Sequence, residues 1–306
     1  MVYLKNHKIL FDPISLPSVP PDVVLVSHAH SDHARPSVLK SLRNVPIVMS
    51  AATEEILFGR RRMPNVVNPS IDCVNEVAGV QFEAYEAGHC VGSLQFRIID
   101  DLTVVYTGDF NIRPRIILKP APILKGDYLV IDSTYGHPRY VFPKRERLYR
   151  SLLEATKVGL EAQGCVCIGV RALGTGQEVT ALLTMSTLKP QVYSDRRIYR
   201  LNKIHNKYAD PFDGYRNENK FSEEGEWVLI TSLGKASRLK MPKVICTGWA
   251  LDNPSMTMLP LSNHSDYNEI TKYIKASECE AVYPFSGGSQ ELYDYIRLEL
   301  GLELLV

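Results

Sequence analysis

Residues 22–34 run DVVLVSHAHSDHA. The first half is a continuous β-branched run, the composition of a strand buried on both faces. The second half places His28, His30, Asp32 and His33 within six residues. Imidazole suits zinc, and the carboxylate widens the choice to manganese or magnesium. At a strand end, side chains two apart point to the same side, so His28 and His30 are expected to face together. Asp32 and His33 fall on the following turn, where they can face a second ion. A buried strand that releases such a cluster is a rigid carrier for a functional loop.

Four ligands in one loop cannot surround two ions, so later residues must return to the same place. The candidates sit in short elements flanked by glycine or polar residues: His89 in EAGHCVGS, Asp109 in YTGDFN, Asp132 in VIDSTYG and His264 in LSNHSDY. Asp109, Asp132 and His264 follow apolar strands closely. A carboxylate has two oxygens, so Asp109 can serve both ions.

The chain around these segments has 306 residues, enough for one large domain or two modest ones. Apolar residues make up 45% and charged residues 23%, which excludes disorder, collagen-like repeats and a coiled coil. No apolar run is long enough to span a membrane. The opening MVYLKNHKILFDP lacks the apolar core of a signal peptide, so the cytoplasm is the expected location. The six cysteines form no CxxC pair and read as small buried hydrophobes in a reducing compartment.

Charge is split along the chain. Residues 139–250 hold 19 Lys and Arg against 11 Asp and Glu, a net of +8, while the remainder holds 16 against 23, a net of −7. A basic segment inside an acidic remainder is what a polyanion-handling insert looks like. Its cations cluster at Arg196, Arg197, Arg200, Lys203 and Lys207, and again at Lys235, Arg238, Lys240 and Lys243. Tyr193, Tyr199, Tyr208, Phe212 and Tyr215 lie among them, as base-stacking candidates or as ordinary packing aromatics.

The first 135 residues read as strand-rich, with helices near 36–42 and 52–59. Beyond them the pattern predicts a long amphipathic helix over 145–162, a buried strand over 165–170 and a helix from about Gln177 to Leu188. Residues 202–226 are polar, with turn signals. Strands near 227–231 and 243–248 follow. A strand, helix, strand and helix then occupy 256–300. The glycine-rich turn Phe285–Ser289 opens that last helix. Backbone amides of Ser286, Gly287, Gly288 and Ser289 there would form a nest for a terminal phosphate, the alternative being a plain helix-start turn.

The order HxHxDH, glycine–histidine, TGD resembles the metallo-β-lactamase superfamily. The further order IDSTYG, ALGTGQE, TGWA and SNHSDY resembles its β-CASP nuclease branch, over nearly the whole chain. The resemblance implies an α/β fold: an αββα sandwich with an inserted smaller α/β domain. The expected division is 1–138 and 251–306 for the sandwich and 139–250 for a nucleic-acid-clamping insert. It also implies two divalent ions, zinc with manganese possible at the second site. His28, His30 and His89 match the ligands of one ion, Asp32 and His33 those of the other, and Asp109 the bridge. Asp12 matches an aspartate that fixes a ligand imidazole. Asp32, Asp132 and His264 are the implied catalytic residues, with Asp132 orienting His264 for proton donation.

Two positions depart from the family pattern. Ser286 stands where many members carry a further histidine, and Thr175 where Lys or Arg is usual. The first tilts the expectation toward DNA, and the second implies a missing phosphate contact. The expected activity is phosphodiester hydrolysis on single-stranded DNA or RNA, by an exonuclease of DNA repair or RNA processing, with a homodimer possible. A metallohydrolase for a small ester and an inactive nucleic-acid binder are the alternatives. The basic insert and the Asp132–His264 pair argue against the small ester, and the complete core ligand set argues against the inactive binder.

Overall fold

The computed structural model describes residues 2–4, 7–222, 225–252, 255 and 257–305. The chain folds into two compact units. One comprises Met1–Arg113, Lys119–Pro138 and His264–Val306, the other Pro114–Leu118 and Arg139–Asn263.

The first unit holds two sheets. One has five strands in the order Val2–Leu4, His7–Phe11, Val23–Leu25, Ile47–Val48 and Val66–Val67. Its first pair is antiparallel and the others are parallel. The other has seven, in the order Glu303–Leu304, Ala281–Phe285, Tyr128–Asp132, Val104–Tyr106, Leu94–Ile99, Val80–Glu86 and Val74–Val77. Its first four strands run parallel, and hairpins make up the rest.

Three apolar clusters show how these sheets layer. Ile9, Val23, Leu25 and Val48 of the first sheet pack with Phe82, Phe96, Ile98 and Val104 of the second. On the first sheet's outer face, Val24, Val26 and Ile47 meet Leu39 and Leu57 from the helices Pro36–Ser41 and Ala51–Phe58. On the second sheet's outer face, Leu129, Ile131 and Val282 meet Ile270, Tyr273 and Leu292 from the helices Tyr267–Ala276 and Gln290–Asp294. The order is therefore helix, sheet, sheet, helix. Val23 and Leu25 face inward while Val24 faces outward, which is why the run has no polar alternation. Each fully buried side chain of this size stabilises the fold by roughly 1.5–3 kcal/mol.

This layering sets where the functional loops emerge. In the first sheet, the parallel strands His7–Phe11 and Val23–Leu25 release Asp12 and the His28–His33 loop at their carboxyl ends. In the second, Val104–Tyr106, Tyr128–Asp132 and Ala281–Phe285 end at Asp109, Asp132 and Ser286 in the same way.

The second unit is built on six parallel strands in the order Tyr215–Asn217, Gln191–Ser194, Trp227–Ser232, Cys165–Val170, Lys243–Cys246 and Met258–Leu259. The helix Arg145–Gln163 ends at Gly164 in the left-handed conformation. The helix Thr175–Met185 begins two residues before the expected Gln177, because the Gly174 amide donates to Gln177 Oε1 at 2.7 Å and closes the first turn early. A helix over Arg196–Tyr208 reaches into the stretch expected to be merely polar. Asp195 caps it, accepting from the Ile198 amide at 2.9 Å, and Ile198, Leu201 and Ile204 form its buried stripe.

The unit extends to Asn263, whereas charge alone marked residues 139–250. Arg145 Nη1 donates to the Ser262 carbonyl at 2.6 Å, and Thr175 Oγ1 to Asn263 Oδ1 at 2.7 Å. Charge counting cannot register contacts to an uncharged carbonyl and an uncharged amide. Among the described residues no helix is long and apolar enough to cross a membrane.

Candidate metal centre

The carboxyl ends of the first unit's strands bring most of the predicted ligands together. His28 Nε2 lies 2.8 Å from His30 Nδ1, and His89 Nε2 lies 3.1 Å from the same atom. Asp109 stands between this group and the rest of the cluster. Its Oδ2 is 3.4 Å from His28 Nε2, 3.5 Å from His89 Nε2 and 3.6 Å from His264 Nε2. Its Oδ1 is 3.0 Å from His33 Nε2. The two oxygens of one carboxylate thus face two different sets of imidazoles.

Asp12 holds the second set. It adopts a left-handed φ of 43° at its strand end. Its Oδ1 accepts from the Ser27 amide at 2.6 Å. Its Oδ2 accepts from Ser27 Oγ at 2.6 Å, from Tyr106 Oη at 2.6 Å and from His33 Nδ1 at 2.7 Å. Because Ser27 Oγ gives its one proton to Asp12, it accepts from His28 Nδ1 at 2.9 Å. The proton on His28 is then fixed on Nδ1, and Nε2 offers its lone pair toward His30 and Asp109. Ser27 and Tyr106 join this hydrogen-bond network, and sequence reasoning missed both. The signal for Ser27 is a hydroxyl between the buried run and the first histidine.

A parallel arrangement orients His264. Asp132 Oδ2 takes His264 Nδ1 at 2.7 Å, while its Oδ1 accepts from the Thr134 amide at 2.9 Å and from Thr134 Oγ1 at 2.7 Å. The short aspartate reaches its histidine. Asn111 Nδ2 donates to the His264 carbonyl at 3.1 Å and the Ser265 amide to the Phe110 carbonyl at 2.9 Å, tying this loop to the one that carries Asp109.

The electrostatics follow from burial and crowding. His28, His89 and Asp109 are almost fully buried. Burial, then neighbouring His33, lowers the pKa of His28; burial, then neighbouring His264, lowers that of His89 well below the ordinary range. Both are therefore neutral imidazoles, the ligand form. Burial opposes ionisation of Asp109, but His264, His33 and His28 around it hold its carboxyl well below the usual range. Burial also opposes charge on His33, yet Asp109 and Asp12 raise it to about 11.

Three groups here can hold a cation: His28, His30, His89 and Asp109; Asp12, His28 and His33; and Asp109, Asp132 and His264. Asp109 Oδ1 is buried beside His33 Nε2, and Oδ2 beside His28 and His89. Imidazole lone pairs converging on one another around a buried carboxylate fit a divalent ion. Asp32 belongs to none of these groups. It is exposed and lines a cavity of about 530 Å³ with Phe11, Asp12, His33, Tyr106 and Ser286.

Residues 2–116 match the model of the beta-lactamase superfamily domain. That segment, which carries the His28–His33 loop, His89 and Asp109, is similar to the metallo-β-lactamase superfamily. Three relatives are similar to the chain over most of its length. The chain is 25% identical over 294 residues to a probable DNA ligase of Opitutus terrae, covering 91% of this chain but 28% of that protein. It is 25% identical over 331 residues to an RNase J-like protein of Methanocaldococcus jannaschii, covering 83% and 78%. It is 26% identical over 276 residues to the 5′ exonuclease Apollo of Gallus gallus, covering 86% and 58%.

The remaining predicted residues are distributed differently. Of the four phosphate-nest candidates only Ser286 lines the cavity. Gly287 packs so closely that an added Cβ would lie 2.6 Å from the Ser133 carbonyl oxygen, and Ser289 caps the last helix by accepting from the Leu292 amide. Arg196, Arg197, Arg200, Lys203 and Lys207 are all exposed on the helix Arg196–Tyr208. Tyr193 and Phe212 are buried core residues, so neither can stack a base. Lys243 donates to the carbonyls of Ala236, Ser237 and Leu239 and so closes the helix Leu233–Arg238 instead of serving a polyanion. Lys235 pairs with Glu218 at 2.5 Å.

Proposed function

We propose that the protein is a two-metal nuclease of the β-CASP branch that hydrolyses phosphodiester bonds. The observation that carries this is the two-sided placement of Asp109, with His28, His30 and His89 on one side and His33, held by Asp12, on the other. His28, His30, His89 and Asp109 would hold one ion; Asp109 and His33, with Asp32 from the rim, the other. Zinc suits the imidazole-rich side, and the carboxylate-richer side also admits manganese. When bound, such ions neutralise phosphate charge and acidify water.

The chain's own residues supply the rest. Ser27 and Asp12 fix the tautomers of His28 and His33. Asp132 fixes His264 so that a proton on Nε2 is directed toward a leaving oxygen. The exposed cations of Arg196–Tyr208, in a segment spanning residues 139–250 of net +8, would grip the flanking strand through its phosphates. A small-ester hydrolase needs neither that segment nor the Asp132–His264 pair. Six cysteines in no disulfide suit a cytoplasmic enzyme.

Single-stranded DNA is the preferred substrate in this proposal, because a ligase and a 5′ exonuclease stand among the relatives; RNA is the competing arm. The test is incubation of metal-loaded protein with end-labelled DNA and RNA of one sequence, with and without a terminal phosphate. Shortening from one end that Asp109→Ala abolishes is the expected result. Cleavage that survives Asp109→Ala, or no cleavage of either polymer, overturns the proposal.

A further inference from the structure

The parallel sheet of the second unit has a feature that the grip on phosphates does not use. Strand Cys165–Val170 lies beside strand Lys243–Cys246, in register through Gly169 and Ile245. The chain leaving the first runs through the helix Thr175–Met185 to Gln191–Ser194, two places away on one side. The chain leaving the second runs to Met258–Leu259, on the other side. Where neighbouring parallel strands send their connections opposite ways, a crevice opens outside their carboxyl ends, and such crevices are where open α/β sheets bind ligands.

The residues at this crevice have a definite chemistry. Arg171 follows the first strand directly and is exposed. Trp249 is the third residue after the second strand and is 46% exposed, unusual for the largest apolar side chain. Tyr140 stands edge-on to Trp249 with ring centroids 5.3 Å apart, and its hydroxyl bonds to Asp252. Arg139 lies over the Tyr140 ring at 4.7 Å, with its Nε 3.5 Å from Asp252. Tyr140 thus buttresses the indole from one edge and leaves it accessible. A partly exposed, braced ring at the sheet edge that also carries Arg171 is suited to a nucleobase with its phosphate, whereas the stripe on Arg196–Tyr208 offers cations whose nearby tyrosines are half-buried.

We infer that the carboxyl edge of this sheet is a base-stacking subsite for single-stranded nucleic acid, in which Trp249 stacks one base and Arg171 contacts the adjoining phosphate. The inference rests on the nuclease reading and adds to it the place where a base is held. The chain leaves this unit at Asn263, one residue before His264, and Asn263 is fixed to Thr175 at the same edge.

The chain has two tryptophans, Trp227 and Trp249, so indole emission reports on the site directly. The experiment titrates metal-loaded protein with a single-stranded phosphorothioate oligonucleotide that resists cleavage. Emission of the wild type falls on binding. Trp249→Phe loses most of that change but keeps affinity within about threefold, and Trp249→Ala weakens binding on the order of tenfold. Arg171→Ala lowers the slope of log affinity against log salt by about 0.7. Wild-type affinity in Trp249→Ala, with salt-dependent binding intact, would sink the subsite and leave the nuclease reading standing. Should Trp249→Ala not fold, unquenched wild-type emission at saturation overturns the inference equally. A wild type that neither binds nor cleaves any oligonucleotide removes both.

Discussion

Replacing Asp12 with Asn tests how the cluster is held. Asp12 sits at φ 43°, a conformation that Asn tolerates better than other non-glycine residues, so the backbone is left in place. The hydrogen bonding is not. Four donors converge on the carboxylate: the Ser27 amide on Oδ1, and Ser27 Oγ, Tyr106 Oη and His33 Nδ1 on Oδ2. The amide of Asn has one acceptor oxygen. If that oxygen replaces Oδ2, the NH₂ group faces the Ser27 amide; if it replaces Oδ1, the NH₂ group faces three donors. Either way, at least one charge-assisted bond of about 1.5–3 kcal/mol is lost. His33 then loses the anion that fixes its proton on Nδ1, and His28 loses the fixed polarity of Ser27. Loss of such an outer partner weakens metal binding by about 10–100-fold, or roughly 1.4–2.8 kcal/mol. Competition against a chromogenic zinc chelator measures this, with circular dichroism to establish that the variant is folded. A folded Asp12→Asn protein that holds both ions as tightly as the wild type would refute the proposed support.

Three further outcomes follow from individual side chains. Asp132→Asn leaves His264 without its fixed tautomer, so kcat should fall on the order of 100-fold with little change in KM; an unchanged kcat shows that His264 moves no proton. His205 is buried, and burial lowers its pKa to about 4 against the opposing pull of Asp210. Below pH 6.5 the unfolded chain takes up a proton that folded His205 refuses, so this residue contributes a decline in stability from pH 6.5 toward pH 4, about 2 kcal/mol at pH 5. His205→Leu should make the decline shallower by that amount, and parallel urea-unfolding profiles of the two proteins against pH would contradict this. Gly88 has φ +65°, and a Cβ there would lie 2.5 Å from the Asn111 carbonyl oxygen and 2.9 Å from that of Lys119. Gly88→Ala should therefore cost about 2 kcal/mol or more and displace His89, read as a lower Tm and weaker binding of a divalent metal; an unaltered Tm excludes the clash.

The acidic balance of the first unit and the basic balance of the second have a shared physical consequence. A polyanion approaching carboxylates such as Asp12, Asp32, Asp109 and Asp132 meets repulsion unless cations are already in place. Metal loading and nucleic-acid affinity should then be coupled, and a chelated protein should bind an oligonucleotide less tightly than a loaded one.

The amino-acid sequence by itself determined the strand Val23–Leu25, the His28–His33 cluster that leaves it, the candidates His89, Asp109, Asp132 and His264, and the excess of cations over residues 139–250. These are properties of local pattern: β-branched runs, alternation and the chemistry of single residues. The tertiary structure alone decided that Asp109 turns one oxygen toward His28 and His89 and the other toward His33. It also decided that Ser27 relays Asp12 to His28, that Tyr193 and Phe212 are core, and that Lys243 caps a helix. It carried the helix Arg196–Tyr208 through a stretch whose polar face masked an apolar stripe. Each of these depends on which strand ends lie side by side, and parallel pairing joins residues tens to hundreds of positions apart. Local pattern carries no record of such pairing, because the energy that selects it comes from burying whole faces of sheets and helices against one another.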